Sequence, residues 1–272
     1  MRPSPDRIEQ DGWRPRLPMR RSALLGALAL LAWLPAIAVC AQSTAPRIAL
    51  IFDDLGYQHD LDQRILALHP DVAVAIIPDA PAAARLAEAT GKQGRETLIH
   101  LPVSGNRQKP CHPLLACLHA HWDLARMVDH LQAQLMLIPN AVGINNHEGS
   151  DFATSKSGTA TLMAALATIN QSRSEPIYFL DSRTTPESRL ESAARRLAVP
   201  AMRRDVFIDA SRNPEAMRNE WQRLLRLART QGHAVGIGHP FPETLALIER
   251  EIGKLDEQGI ILVRPSELLK GH

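Results

Sequence analysis

Two adjacent carboxylates, Asp53 and Asp54, directly follow the apolar run at residues 48–52. A short unbroken apolar run predicts a strand buried on both faces, and such strands belong to parallel sheets whose ligands bind at the carboxyl end. Neighbouring carboxylates at the edge of a core repel each other unless a cation or a proton lies between them. The pair therefore indicates the start of a functional site.

The other apolar runs also contain, or end in, groups that can bind a metal or a substrate. Those groups are His100, Asn145, Asn146, His147, Asp181, Arg183, Arg203, Arg204, Asp205 and His239. In a parallel barrel the carboxyl ends of all strands meet at one rim, so these side chains can share a site. Carboxylates and imidazoles are ligands of divalent transition metals, and a site with three protein ligands leaves a position open to water. The pattern favours metal-assisted hydrolysis.

Each of these residues also has a structural explanation when it is taken alone. A single acid after a strand is most often a helix cap, and Asp54 could cap the helix that follows. His100, inside an apolar run, could be a core histidine bonded to backbone, and Asp181 could form an ion pair with Arg183. The joint placement at the ends of six runs is what indicates a site.

Eight apolar runs of strand length alternate with segments whose apolar residues recur at helical spacing. The runs are residues 48–52, 72–77, 97–101, 141–144, 177–180, 201–205, 234–237 and 260–263, and the main helical segments are 61–68, 82–89, 124–138, 161–169, 188–197, 216–227 and 245–255. This alternation predicts a parallel sheet with helices outside. For residues 42–272 we expect a single (β/α) barrel, distorted or incomplete, with an open doubly wound sheet as the alternative.

Residues 1–41 have the composition of a leader: a disordered stretch followed by a signal peptide. Arg20 and Arg21 precede an apolar run at residues 23–39, and the small residues after it predict cleavage near Ala41. An uncleaved membrane anchor stays open, because the run approaches the roughly 18 residues that span a bilayer. The leader predicts a periplasmic or secreted protein that contacts the membrane only through this segment.

Composition and cysteine content narrow the remaining choices. The formal net charge of +2 lacks the strong positive excess that is typical of nucleic-acid-binding proteins. Export would place the mature chain in an oxidising compartment, where Cys111 and Cys117 are expected to form a small loop disulfide.

Six sequence blocks resemble the divergent polysaccharide deacetylase family. They are residues 48–56 (IALIFDDLG), 94–102 (GRETLIHLP), 143–150 (GINNHEGS), 179–186 (FLDSRTTP), 203–207 (RRDVF) and 236–244 (GIGHPFPET). The blocks occur in the order of the family, and the match runs from about residue 47 to residue 268. That family is similar to the NodB-type carbohydrate esterases. The resemblance therefore implies a distorted (β/α) barrel that holds a divalent metal and deacetylates a carbohydrate.

The resemblance also implies a role for each matched residue. Asp53 corresponds to the general base, and His239 to the histidine that protonates the leaving amine. Asp54, His100 and His147 correspond to the metal ligands, here on separate strands, and such ligands suit zinc best. The residues expected to contact the substrate or to support the site are Asn145, Asn146, Asp181, Arg183, Arg204 and Asp205.

These features predict an exported, metal-dependent deacetylase that acts on an acetylated glycan of the cell envelope, such as peptidoglycan or an exopolysaccharide. Two departures from the family pattern, Glu148 and Asp151, add negative charge beside His147. Two alternatives stay open. One is a non-catalytic glycan-binding or scaffolding protein on the same fold, and the other is a hydrolase of a different amide or ester.

Overall fold

The structure is a computed structural model that describes residues 45–104 and 111–269. The predicted leader and its cleavage position lie outside these residues. Within the two described ranges, no helix is both long enough and apolar enough to cross a membrane.

Strands and helices alternate along the chain, as the spacing of apolar residues predicts. The strands are β1 (Arg47–Leu55), β2 (Ala73–Ile76), β3 (Thr97–Pro102), β4 (Gly143–His147), β5 (Tyr178–Asp181), β6 (Ala201–Arg203), β7 (Val206–Phe207), β8 (His233–Gly238) and β9 (Ile261–Leu262). The helices are α1 (His59–Leu66), α2 (Ala83–Gln93), α3 (Leu124–Leu137), α4 (Ser150–Thr154), α5 (Lys156–Asn170), α6 (Leu190–Arg196), α7 (Pro214–Gln231), α8 (Pro242–Ile252) and α9 (Pro265–Leu269). A short 3-10 helix spans Asp256–Gln258.

The structure differs from the predicted elements in two respects. The sixth apolar run, predicted as a single strand over residues 201–205, forms a strand only over β6, and a second short strand, β7, follows Asp205. The short helices α4 and α9 were not predicted, because five residues are too few to show helical periodicity.

All strands are parallel and form one curled sheet. Its order is β6-β5-β4-β3-β2-β1-β8-β7, and β9 pairs with the start of β1. The order never reverses as it would at the switch point of a doubly wound sheet, so that alternative is wrong. Among the described residues no pairing joins β6 to β7, which leaves the barrel open. The prediction of a single, incomplete (β/α) barrel is confirmed.

The side chains of each strand alternate between two hydrophobic cores. In β1, Ile48, Leu50 and Phe52 face the helices, whereas Ala49 and Ile51 face the barrel interior. Full burial of each large aliphatic side chain contributes roughly 1.5–3 kcal/mol to folding. The interior core also contains Ala73, Ala75, Leu98, Tyr178, Leu180, Met202, Val235, Ile237, Val263 and Leu268. The next inward-facing position on each strand therefore reaches the barrel mouth.

The loop after β3 is tied by a disulfide. Cys111 and Cys117 are bonded, with their Cα atoms 6.2 Å apart, which confirms the predicted pair. Beyond the disulfide, the backbone of Leu118 donates a hydrogen bond to Pro102 (3.0 Å) and accepts one from Ser104 (2.8 Å). The segment after the disulfide is therefore anchored to the end of β3.

Candidate metal centre

A β-bulge at the end of β1 brings both carboxylates to the barrel mouth. Between its last two paired positions β1 advances from Phe52 to Leu55, whereas β2 advances by one residue fewer. Asp54 has a left-handed backbone with φ of 61°, which breaks the regular alternation of the strand. In a regular strand Asp53 and Asp54 would point to opposite faces, so the extra residue is what lets both line one cavity.

The two histidines come from neighbouring strands. His100 on β3 is in register with Asn145 on β4, and Pro102 is in register with His147. His100 lies two positions after Leu98, which belongs to the interior core, so the imidazole points into the barrel mouth. Asn145 and His147 occupy alternate positions of β4 and share that face.

A tight turn directly after His147 fixes the end of β4. Glu148 and Gly149 both have left-handed backbones, with φ of 56° and 75°. A Cβ atom at Gly149 would collide with the side chain of Val103. Glycine is therefore the residue that fits this turn, and helix α4 begins immediately after it.

Asp54, His100 and His147 form a triangle of ligand atoms, which we call the metal triangle. Asp54 Oδ1 lies 3.0 Å from His100 Nε2 and 2.9 Å from His147 Nδ1, and the two nitrogens are 3.0 Å apart. Asp54 Oδ1 is buried and has no hydrogen bond of acceptable geometry. Bonds of roughly 2.0–2.2 Å from one ion to all three atoms are compatible with this spacing. The residues present therefore fit a divalent metal.

The charges of the metal triangle also favour a cation. Burial works against the ionisation of Asp54, but the imidazoles of His100 and His147 outweigh burial and hold the pKa of this carboxyl well below its usual range. Burial lowers the pKa of His100, yet Asp53 and Asp54 raise it to about 9 overall. The carboxylates thus attract positive charge to one point, and a metal can take the place of a proton there.

Asn145 connects the metal triangle to Asp53. Its amide nitrogen donates to Asp53 Oδ1 at 2.7 Å, and its amide oxygen lies 2.9 Å from His100 Nδ1. An ionised carboxylate only accepts hydrogen bonds, so the amide must be oriented with its oxygen toward His100. Nδ1 of His100 then carries the proton, and the lone pair of Nε2 faces the triangle.

Asp53 lies beside the metal triangle without belonging to it. Its Oδ2 is 3.7 Å from His100 Nδ1, on the opposite edge of that ring from Asp54. The side chain is 1% exposed, and burial raises the pKa of Asp53 above the usual aspartate value. A buried carboxylate with a raised pKa that is not a ligand suits a proton acceptor.

His239 is held by Asp209, an acid that the sequence analysis missed. Asp209 Oδ1 lies 2.8 Å from His239 Nδ1, while Oδ2 accepts from the His239 backbone at 2.6 Å and from Thr244 at 2.7 Å. Burial lowers the pKa of His239, but Asp209 more than offsets it, so the pKa is raised overall. Nδ1 is thereby engaged, and Nε2 is left for proton transfer.

Asp181 and Arg183 do not join this cluster. Asp181 is buried but accepts hydrogen bonds from the Arg183 backbone (2.8 Å) and from the Ser188 hydroxyl (2.7 Å). The guanidinium of Arg183 donates to the carbonyl of Pro186 at 2.8 Å. Both side chains therefore organise the loop at residues 181–188, which we call the β5 turn, and neither lines the cavity beside the metal triangle.

Arg204 also binds to the β5 turn. Its guanidinium donates to the carbonyls of Ser182 (2.7 Å) and Arg183 (2.8 Å) and stacks 3.6 Å from the ring centre of Phe207. Burial lowers the pKa of Arg204 to about 10. Its role is to support the wall of the site.

Asn146 and Asp205 complete the predicted set, with different outcomes. Asn146 lines the cavity and supports its wall, because it accepts from the Ser182 backbone and donates to the Glu148 carbonyl, both at 3.0 Å. Asp205 lies outside the site, contrary to the prediction. It accepts a hydrogen bond from the Val235 backbone at 2.8 Å and lines a separate cavity. It follows β6, which is short, so its side chain lies level with the middle of β8.

One cavity of about 280 Å³ is lined by the metal triangle and by both candidate proton-transfer residues, Asp53 and His239. It is lined by Asp53, Asp54, His100, Asn146, His147, Glu148, Ser182, Thr184, Phe207 and His239. A larger cavity, of about 560 Å³, is lined by residues such as Glu96 and Tyr178 at the amino-terminal ends of strands. Among the described residues, the group of three that could hold a metal belongs to the smaller cavity and not to the larger one, so chemistry rather than size identifies the site.

The sequence matches the model of the divergent polysaccharide deacetylase family over residues 50–269. The chain belongs to this family. This chain is 32% identical to the uncharacterised protein YibQ of Escherichia coli (strain K12) over 240 residues, which are 88% of this chain and 72% of YibQ. An uncharacterised protein of Haemophilus influenzae is 30% identical over 217 residues, covering 78% of this chain and 72% of the relative.

A solved structure shares the fold of this family member. The uncharacterised protein ATU2773 from Agrobacterium tumefaciens C58 superposes with a TM-score of 0.75 at 23% identity, over 82% of this chain and 89% of that one. The family match confirms the resemblance carried by the six sequence blocks. At this level of identity the structural likeness shows the fold alone.

Proposed function

We propose that this protein is a metal-dependent hydrolase that removes N-acetyl or O-acetyl groups from a glycan of the cell envelope, peptidoglycan or an exopolysaccharide. The observation that carries the proposal is the metal triangle, with its orphaned Asp54 oxygen, beside the buried and non-ligating Asp53. The chemistry that a divalent ion supplies in such a site is Lewis acidity, which polarises a carbonyl and acidifies water. Zinc suits the Asp and His ligands best.

The chain's own residues divide the proton transfers. Asp53 accepts the proton of the attacking water, for which its raised pKa is suited. His239 donates a proton to the leaving nitrogen or oxygen, and Asp209 keeps its ring oriented through Nδ1. Asn145 bonds both Asp53 and His100, and so fixes the position of the base relative to the metal triangle.

Export is part of the proposal. Arg20, Arg21 and the apolar run at residues 23–39 support a signal peptide cleaved near Ala41. The disulfide between Cys111 and Cys117 is consistent with an oxidising compartment, in which such bonds persist.

The test compares the purified wild-type protein with His147→Ala. Metal content is measured after dialysis, and acetate release is measured on N-acetylchitopentaose and on peptidoglycan. We expect about one metal ion per wild-type chain, acetate release that a chelator abolishes, and neither property in the variant. Bound metal without acetate release from any acetylated glycan would favour the non-catalytic glycan-binding alternative. Absence of metal from the wild type would contradict the proposed site.

A further inference from the structure

Two hydroxyl groups at the active-site cavity have no hydrogen-bond partner among the described residues. They are Oγ of Ser182 and Oγ1 of Thr184, and both residues line the cavity that contains the metal triangle. Ser182 is 1% exposed, so bulk water does not satisfy it. A buried hydroxyl without a partner destabilises the folded chain, which is a reason to look for a partner outside it.

The direction of Ser182 follows from the alternation of β5. Tyr178 and Leu180 belong to the interior core, so the next inward position after β5 is Ser182. Asp181 lies between Leu180 and Ser182, points to the outer face and accepts hydrogen bonds within the β5 turn. Thr184 follows after Arg183, whose left-handed backbone (φ of 50°) turns the chain at the rim.

The backbone around the two hydroxyls is fixed by other contacts. The Ser182 amide donates to Asn146 at 3.0 Å, and the Ser182 carbonyl accepts from Arg204 at 2.7 Å. The Thr184 carbonyl accepts from the Ser150 hydroxyl at 3.2 Å. The two side chains are thus presented at set positions while their hydroxyls remain unused. This arrangement is typical of a preorganised binding surface.

We propose that Ser182 and Thr184 bind the hydroxyl or acetamido groups of the sugar, and so direct the site toward carbohydrate rather than toward simple acetyl compounds. The inference rests on the proposed function and names the residues that recognise its substrate. A serine or threonine hydroxyl both donates and accepts, as a sugar hydroxyl does, and it carries no charge. A site that pairs with substrate hydroxyls rejects analogues that lack them.

The test uses Ser182→Ala, Thr184→Val and the double variant. These changes remove the hydroxyls but leave the backbone hydrogen bonds and nearly the same side-chain shape. Ser192→Ala and Thr168→Val are the matched controls, because these exposed hydroxyls bond the backbone of α6 and α5 away from the cavity. The kcat/KM is measured on N-acetylchitopentaose and on 4-nitrophenyl acetate, which has no sugar hydroxyls, together with the unfolding midpoint.

We expect kcat/KM on the glycan to fall roughly tenfold for each single variant and more for the double variant. The rate on 4-nitrophenyl acetate should stay at the wild-type level, and the unfolding midpoint should stay equal or rise, since an unpaired buried hydroxyl has been removed.

Equal losses on both substrates, or no loss on the glycan, would overturn the inference while the proposed function stands. A wild-type protein that releases no acetate from glycan would instead overturn the proposed function. Calorimetric binding of N-acetylchitopentaose then decides the inference, and equal affinity of the wild type and the double variant would overturn it.

Discussion

The metal triangle and the β5 turn are made from similar residues but have opposite character. Both place acids and bases at the carboxyl ends of parallel strands. At the β5 turn, the side chains of Asp181, Arg183 and Arg204 all form hydrogen bonds with backbone groups of residues 181–188. In the metal triangle, Asp54 Oδ1 is buried without a hydrogen bond. The charged side chains at the β5 turn therefore stabilise the fold, whereas the metal triangle is prepared to bind something that the protein does not supply.

The largest effect should follow from Asp54→Asn. This change removes the charged ligand of the metal triangle but keeps its shape, so we expect metal affinity to fall by more than about 100-fold and acetate release to be lost. Competition with a chromogenic chelator measures the affinity. Wild-type affinity in this variant would remove Asp54 from the ligand set.

Asp53→Asn separates the base from the ligands. Because Asp53 lies outside the metal triangle, we expect metal to remain bound while kcat falls by about 10²–10⁴-fold. Metal analysis and steady-state kinetics on the same preparation check both parts. Loss of metal together with activity would show that the roles of Asp53 and Asp54 are exchanged.

Asn145→Ala tests the connection between base and ligand. It removes the acceptor that fixes the His100 tautomer, so we expect metal affinity to drop by about 10–100-fold. Asn170→Ala is the matched control: Asn170 also makes two hydrogen bonds, to the backbone of Ile177 at 2.9 Å each, but on α5. Equal affinity in the two variants would mean that Asn145 is merely structural.

The smallest effect on metal binding should come from Asp181→Ala. Two donors in the β5 turn would lose their acceptor, so we expect the free energy of unfolding to fall by about 1–3 kcal/mol. Metal affinity should not change. Urea unfolding in the presence of a chelator measures the stability, and a variant that loses metal with unaltered stability would place Asp181 in the site.

Much of the site could be predicted from the sequence because strand ends converge in a parallel barrel. Asp54, His100 and His147 come together as expected, and His239 lines the same cavity. The bulge that turns both aspartates inward could not be predicted, since it depends on a left-handed backbone at Asp54. Aspartate adopts this conformation more readily than most non-glycine residues, but that preference does not predict it at one particular position.

Ser182 and Asp209 are absent from the predicted site residues for two different reasons. The inward-facing position directly after β5 is Ser182, whereas the prediction selected its charged neighbours Asp181 and Arg183. Asp209 is absent from the predicted site because the predicted sixth strand ends at residue 205. The apolar residues 206–208 end in that acid in the same way that residues 48–52 end in Asp53. The two-residue period that continues from Tyr178 and Leu180 of the interior core predicts Ser182 as the inward-facing residue.

The most direct test is X-ray diffraction from crystals grown with zinc, recorded on both sides of the zinc absorption edge. We predict one strong anomalous peak, roughly 2.0–2.2 Å from Asp54 Oδ1, His100 Nε2 and His147 Nδ1. Asp53 should lie outside the coordination sphere, with its hydrogen bond to Asn145 intact. A metal-free triangle at saturating zinc, or a peak that is bound by Asp53 instead of Asp54, would contradict this assignment.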